Sequence, residues 1–124
     1  MSKQLCVLVR RAPYGTIHAA EGIRLALGGV SNGLQTALVL VDDGVYAGKD
    51  GQEVAETGWT ALSGVLHQAL ATVKKEGPAL EVYVHAPSLK ERGLGAGELI
   101  PGAKVLDDAG LAVFLARSEK VAVF

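Results

Sequence analysis

In the stretch VYVHAPSLKERGL, Val82 to Leu94, a histidine stands where an apolar run gives way to a charged one. His85 is that joint. A histidine there can exchange a proton near neutral pH, offer a nitrogen to a ligand, or bond to nearby backbone. The plain reading is the last, because no orienting partner is visible around it in the sequence. Ser88 and Glu91 follow at the spacing of a capping box, so they read as the N-cap and third residue of a short helix. No nucleophile elbow surrounds Ser88, which argues against a Ser/His/Asp triad. The single cysteine, Cys6, lies between Leu5 and Val7 in QLCVLVR. Aliphatic surroundings disfavour a thiolate, so Cys6 is predicted to be inert. His18 and His67 fall on predicted helices, and no His/Cys/Asp spacing matches a zinc site. No metal and no cofactor is expected.

Two further stretches are rich in residues that bind. RRAPYGT, Arg10 to Thr16, leads toward a helix start, where free N–H groups can hold an anion. It lacks the glycine pattern of a dinucleotide site and the lysine of a P-loop, so it reads first as a tight turn. DDGVYAGKDGQ, Asp42 to Gln52, pairs carboxylates beside glycines. Metal binding or proton exchange is open to such a pair. Asp-Gly is also a common turn signal, and the alternation of an EF-hand is absent. The loop, reaching toward Thr57, is longer than most connections, and long loops often carry function. Val45, Tyr46 and Trp59 are its natural contact residues, either facing a partner or folded back on the core.

These residues need a frame to bring them together. Five apolar runs read as strands: Gln4–Arg10, Gln35–Asp42, Ala79–His85, a weaker Ala103–Asp107, and Lys120–Phe124. Continuous rather than alternating apolar character implies cover on both faces, as in a parallel sheet. Between them, Ile17, Ala20, Ile23, Ala26 and Leu27 form a helical stripe that Gly28-Gly29 should stop. Trp59, Leu62, Val65, Leu66, Ala69, Leu70 and Val73 form another, with Lys74 and Lys75 at its end and Gly77-Pro78 beyond. Asp107–Ser118 places acids first and Arg117 near its end, the favourable order for a third helix. Strands alternating with helices predict an open α/β sheet with right-handed crossovers. Ligands of such sheets sit beyond the carboxyl ends of the strands. Both loops and His85 leave strands at that edge, so Tyr14, Gly15, Asp43, Gly44 and His85 are predicted to share one rim. A small anion or metabolite is the ligand class that rim suggests.

Composition limits the alternatives. The chain has 124 residues, 49% apolar and 20% charged, which suits one domain over residues 1–124 with a substantial core. A net charge of −1 gives no electrostatic footprint for nucleic acid or a membrane surface. One cysteine permits no internal disulfide and fits a reducing cytoplasm. No segment reaches the roughly 20 apolar residues that span a bilayer. The start, MSKQLCVLVRRAPYG, carries its charge after the apolar run rather than before it, unlike a signal peptide. Mean hydropathy is +0.29, high for a small monomer, and part of that apolar surface is expected to lie against a partner.

In this order, RRAPYGTIHAAEGIRLAL, LVLVDDGVYAGKDGQ, VYVHAPSLKERGL and a terminal KVAVF resemble the DsrE/DsrF/TusC sulfur-relay family, nearest its DsrF/TusC-like branch. The resemblance runs over nearly the whole chain and is loose in the helix after the second loop and from Gly95 to Gly110. It implies a three-layer α/β sandwich, a five-stranded mostly parallel sheet with helices on both faces. It implies trimers or hexamers, of one chain or of related subunits. In the relay-competent subunit a cysteine near the end of the third strand carries a persulfide and passes it to a partner, for tRNA thiolation or sulfur oxidation. The DsrF/TusC-like subunit is the supporting member. Counted back from Glu91–Gly93, the relay-cysteine position falls on His85. An imidazole cannot replace a thiolate that must attack and leave, so sulfur carriage by this chain is not expected. The resemblance adds no direct contact with nucleic acid or membrane.

Overall fold

Runs of Val, Leu and Ala with no alternating polar partner can only be strands if both faces are covered, and the fold covers both. The computed structural model describes residues 4–52, 61–71 and 79–124. Its strands are β1 (Gln4–Val9), β2 (Gln35–Leu40), β3 (Leu80–His85), β4 (Lys104–Leu106) and β5 (Lys120–Val123). The helices are α1 (His18–Ser31), α2 (Leu62–Ala71), α3 (Ala86–Glu91) and α4 (Asp108–Arg117). The sheet order is β4-β3-β2-β1-β5, and every pair is parallel. The expected strands sit within two residues of the observed ends.

Alternation of side chains along each strand divides the core in two. On the first face, Val7, Val9, Leu38, Leu40, Val82 and Val84 pack against Ala19, Ile23 and Ala26 of α1 and Leu62 and Leu66 of α2. On the second, Cys6, Ala37, Val39 and Leu106 meet Phe114 of α4, with Leu8, Tyr83 and Leu111 packed beside them. The Tyr83 and Phe114 rings lie 4.6 Å apart, and the Arg117 guanidinium stacks 4.9 Å from the Phe114 ring. Asp107 caps α4 by accepting the Gly110 N–H at 2.7 Å. Among the described residues no helix is long and apolar enough to cross a membrane.

Two local expectations are corrected. Gly28-Gly29 do not stop α1, which continues to Ser31 and ends at Asn32 and Gly33, where φ is +86°. Gly29 serves packing instead: a Cβ there would meet Leu5 and Thr36 side-chain atoms at 2.9 Å. The stretch after β2 is not an open loop but a 3-10 helix, Asp42–Gly48. Val45 on it is fully buried and belongs to the core rather than to a contact surface. Thr57, Trp59, Val73, Lys74, Lys75 and Gly77-Pro78 lie outside the described residues.

Candidate functional site

The carboxyl ends of β2, β3 and β4 meet at a chain of hydrogen bonds centred on His85. β3 delivers the ring: His85 is its last residue and the N-cap of α3, with no side-chain cap bond. Ser88 is therefore not an N-cap, as the Ser-x-x-Glu spacing suggested, but the third residue of α3. There its side chain turns back toward β2 and β3. Ser88 Oγ accepts the Asp42 N–H at 2.9 Å and lies 2.7 Å from His85 Nδ1. On its other side His85 Nε2 lies 2.6 Å from Asp108 Oδ1, in the first turn of α4. An ionised Asp108 can only accept in this pair, so Nε2 carries a hydrogen, and in the neutral ring Nδ1 accepts the Ser88 hydroxyl hydrogen. That tautomer satisfies every group in the chain of bonds. The histidine that lacked a visible partner thus has two, and both ring nitrogens are engaged.

This is not a hydrolase triad. Ser88 is 2% exposed and its oxygen is already held by the Asp42 amide. An attacking hydroxyl needs access to a substrate carbonyl, and this one has none. The His85 side chain is 14% exposed, while Asp108 is 80% exposed. The arrangement ties the ends of β2 and β3 to the start of α4. Asp42 itself sits at φ +49°, a left-handed conformation that Asp tolerates better than most residues. Arg92 adds a second tie: its Nε donates to Asp43 Oδ1 at 3.0 Å and its Nη1 to the Ser88 carbonyl at 3.1 Å.

The predicted rim divides into parts. Tyr14 and Asp43 line one cavity of about 370 Å³ with Arg10, Arg11, Ala12, Thr16 and Asp42. His85 is not among its lining residues. Tyr14 donates its hydroxyl hydrogen to Gln52 Oε1, and Gln52 Nε2 donates to the carbonyls of Tyr46 and Lys49. Gly15 is exposed at φ +94° beside Tyr14. Gly44 is buried, and a Cβ there would lie 2.1 Å from the Val9 carbonyl oxygen. It lets the 3-10 helix press on β1. Arg10 and Asp42 approach to 3.8 Å on the surface, while Arg11 makes no ion pair among the described residues. Among those residues no group of His, Cys, Asp and Glu could hold a metal ion.

Cys6 is fully buried in the middle of β1, three residues before its carboxyl end, about 10 Å along the strand. Burial pushes its thiol pKa up, and a hydrogen bond with Ser118 opposes the shift only in part. The net upward shift fits an inert thiol. Sequence reading missed Asp108, Arg92 and the structural use of Ser88. The only local signal was spacing: Ser88 stands three residues after His85 and Arg92 four after Ser88. Asp108 is 23 residues from His85, and nothing local announces the pair.

The model of the DsrE/DsrF-like family matches residues 3–124. The protein named TusC homolog of Pseudomonas aeruginosa is 33% identical over 121 residues, 98% of both chains. The intracellular sulfur oxidation protein DsrF of Allochromatium vinosum is 32% identical over 98 residues, 79% of this chain and 68% of that one. Among solved structures, the ychN protein from E. coli superposes with a TM-score of 0.83 at 26% identity, covering 100% of both chains.

Proposed function

This chain belongs to the DsrE/DsrF-like family, and from that premise we propose that it is a supporting subunit of an intracellular sulfur-relay assembly. Its role is to support the assembly, not to carry sulfur. The observation behind this reading is the state of position 85. Where the family resemblance puts the relay cysteine, an imidazole is locked by Ser88 on one nitrogen and Asp108 on the other. A relay thiol must be free to attack and to leave as a thiolate. Nothing at position 85 can do so, and Cys6 is sealed between the sheet and α4. The related chains it joins are cysteine-bearing members of the same family, in a trimer or hexamer in the cytoplasm. Native mass spectrometry of the tagged chain purified from its own organism tests this. A mixed assembly with a cysteine-bearing relative is expected, and the chain found only with itself overturns it.

A second reading is favoured by the cavity at Arg10, Arg11 and Tyr14. Two arginines just past the carboxyl end of β1 suit a small anion, and the chain would then act as a homo-oligomeric binding protein. Phosphate, sulfate or thiosulfate should raise the melting temperature by linkage, and Arg11→Ala should abolish the rise. No shift with any of these anions removes this reading.

A further inference from the structure

Tyr14 is a wall between two cavities. On one side lies the arginine cavity, about 370 Å³. On the other lies a second, about 290 Å³, lined by Ala12, Pro13, Tyr14, Tyr46, Lys49 and Gln52. Ala12 and Tyr14 line both, and His85 lines neither. The segment after β1 supplies Arg11, Pro13 and Tyr14, and the 3-10 helix after β2 supplies Tyr46. The two halves differ in chemistry. The first is lined by guanidinium and carboxylate groups, the second by two phenol rings and a proline ring. The wall between them is set before a ligand arrives. Tyr14 donates to Gln52 Oε1, and Gln52 Nε2 donates to the Tyr46 carbonyl at 2.6 Å and the Lys49 carbonyl at 3.1 Å. Gln52 thereby ties the Tyr14 ring to the backbone of the helix that carries Tyr46. A wall already fixed loses less entropy on binding.

We propose that the paired cavities bind a nucleoside 5′-phosphate, its phosphate at Arg11 and its base against Tyr14 and Tyr46. Arg11 is the guanidinium open to a phosphate, because it is exposed and makes no ion pair among the described residues. Arg10 lies 3.8 Å from Asp42, and Arg92 holds Asp43 at 3.0 Å. A bare inorganic ion would use the arginine half alone and would meet both carboxylates there. A nucleotide places a ribose between phosphate and base. An exposed carboxylate such as Asp42 can accept a ribose hydroxyl, as acidic residues do in dinucleotide sites. The aromatic half suits any base, because every base has a π-face. Gln52 has no amide hydrogen left for a base edge, since both go to backbone carbonyls. Selection among bases is therefore by stacking area, purine over pyrimidine, with little preference between adenine and guanine. Together the two cavities lie within the range of small-molecule sites, roughly 300–1,000 Å³. The proposal rests on the anion reading of the arginine cavity for its phosphate half and goes beyond it for the base.

The test is calorimetric titration of the full chain with adenosine 5′-monophosphate, ribose 5-phosphate and inorganic phosphate. The nucleotide is expected to bind about tenfold more tightly than ribose 5-phosphate, the margin that one stacked base supplies. Tyr46→Leu is expected to remove that margin and to leave the binding of inorganic phosphate unchanged. Arg11→Ala should weaken every probe that carries a phosphate. If Tyr46→Leu loses its fold by circular dichroism, Tyr14→Leu removes the other ring and is read in the same way. Nucleotide binding no tighter than that of inorganic phosphate overturns the proposal and leaves the anion reading standing. Nucleotide binding untouched by both Tyr46→Leu and Arg11→Ala puts the ligand elsewhere and overturns it too. No binding of any probe at millimolar concentration removes both readings. Nucleotide binding that is weakened in both variants, with inorganic phosphate silent, supports the nucleotide and removes the inorganic anion.

Discussion

Ser88 does more for this site than its place in the sequence suggests. Its oxygen takes the amide of Asp42, which stands in a left-handed conformation, and its hydrogen serves His85. Removing the hydroxyl leaves a part-buried amide and a ring nitrogen without partners, which costs about 1–3 kcal/mol. Ser88→Ala should therefore lower stability in denaturant titration by that amount, whereas Glu91→Ala, the other half of the expected capping box, should change it little. Cys6 gives a pH-dependent prediction. Its thiol pKa is raised in the fold from an ordinary 9.0 by burial, so the folded state holds the proton more tightly than the unfolded state. That contribution to stability is complete below pH 9.0 and is lost as pH rises above it. Cys6→Ala should flatten the alkaline fall in melting temperature, and an identical fall would show that the thiol does not contribute. The Tyr83 phenol, pushed up to about 12 by burial and by Glu81, acts in the same direction at higher pH.

At the scale of elements, the strands were plain to read because parallel strands covered on both faces are unbroken apolar runs. Leu5 to Val9 and Ala37 to Leu40 carry no polar residue to confuse the period. Helix ends were harder. Gly28-Gly29 looks like a stop signal, yet those glycines lie inside α1, where Gly29 lets the helix press on Leu5 and Thr36. A glycine needed for contact and one needed for a turn look alike in one dimension. The Asp42–Gly48 helix was hidden for a similar reason, since Asp-Asp-Gly reads as a turn. Gly44 shows what holds it in place: a Cβ would lie 2.1 Å from the Val9 carbonyl oxygen. Gly44→Ala should push the 3-10 helix off β1 and destabilise the protein by about 3 kcal/mol. A melting temperature within a degree or so of the parent would mean the segment shifts at no cost.

On the scale of the whole molecule, the sheet places a cavity and a hydrogen-bonded network at one edge. The Arg10–Tyr14 cavity and the His85 network both lie beyond the carboxyl ends of the strands, where the topology of an open parallel sheet puts them. That much was visible in the order of the motifs. The pairing of His85 with Asp108 was not, because it depends on a crossover that carries α4 to the opposite face from α1 and α2. The relay role depends on which subunit holds sulfur, and weighing the subunits decides it most directly. The assembly purified from its own organism is treated with a persulfide donor, and each chain is weighed under native conditions before and after. One added sulfur on a cysteine-bearing partner and none on this chain is the predicted result. Sulfur bound to this chain, and lost in Cys6→Ser, would contradict it.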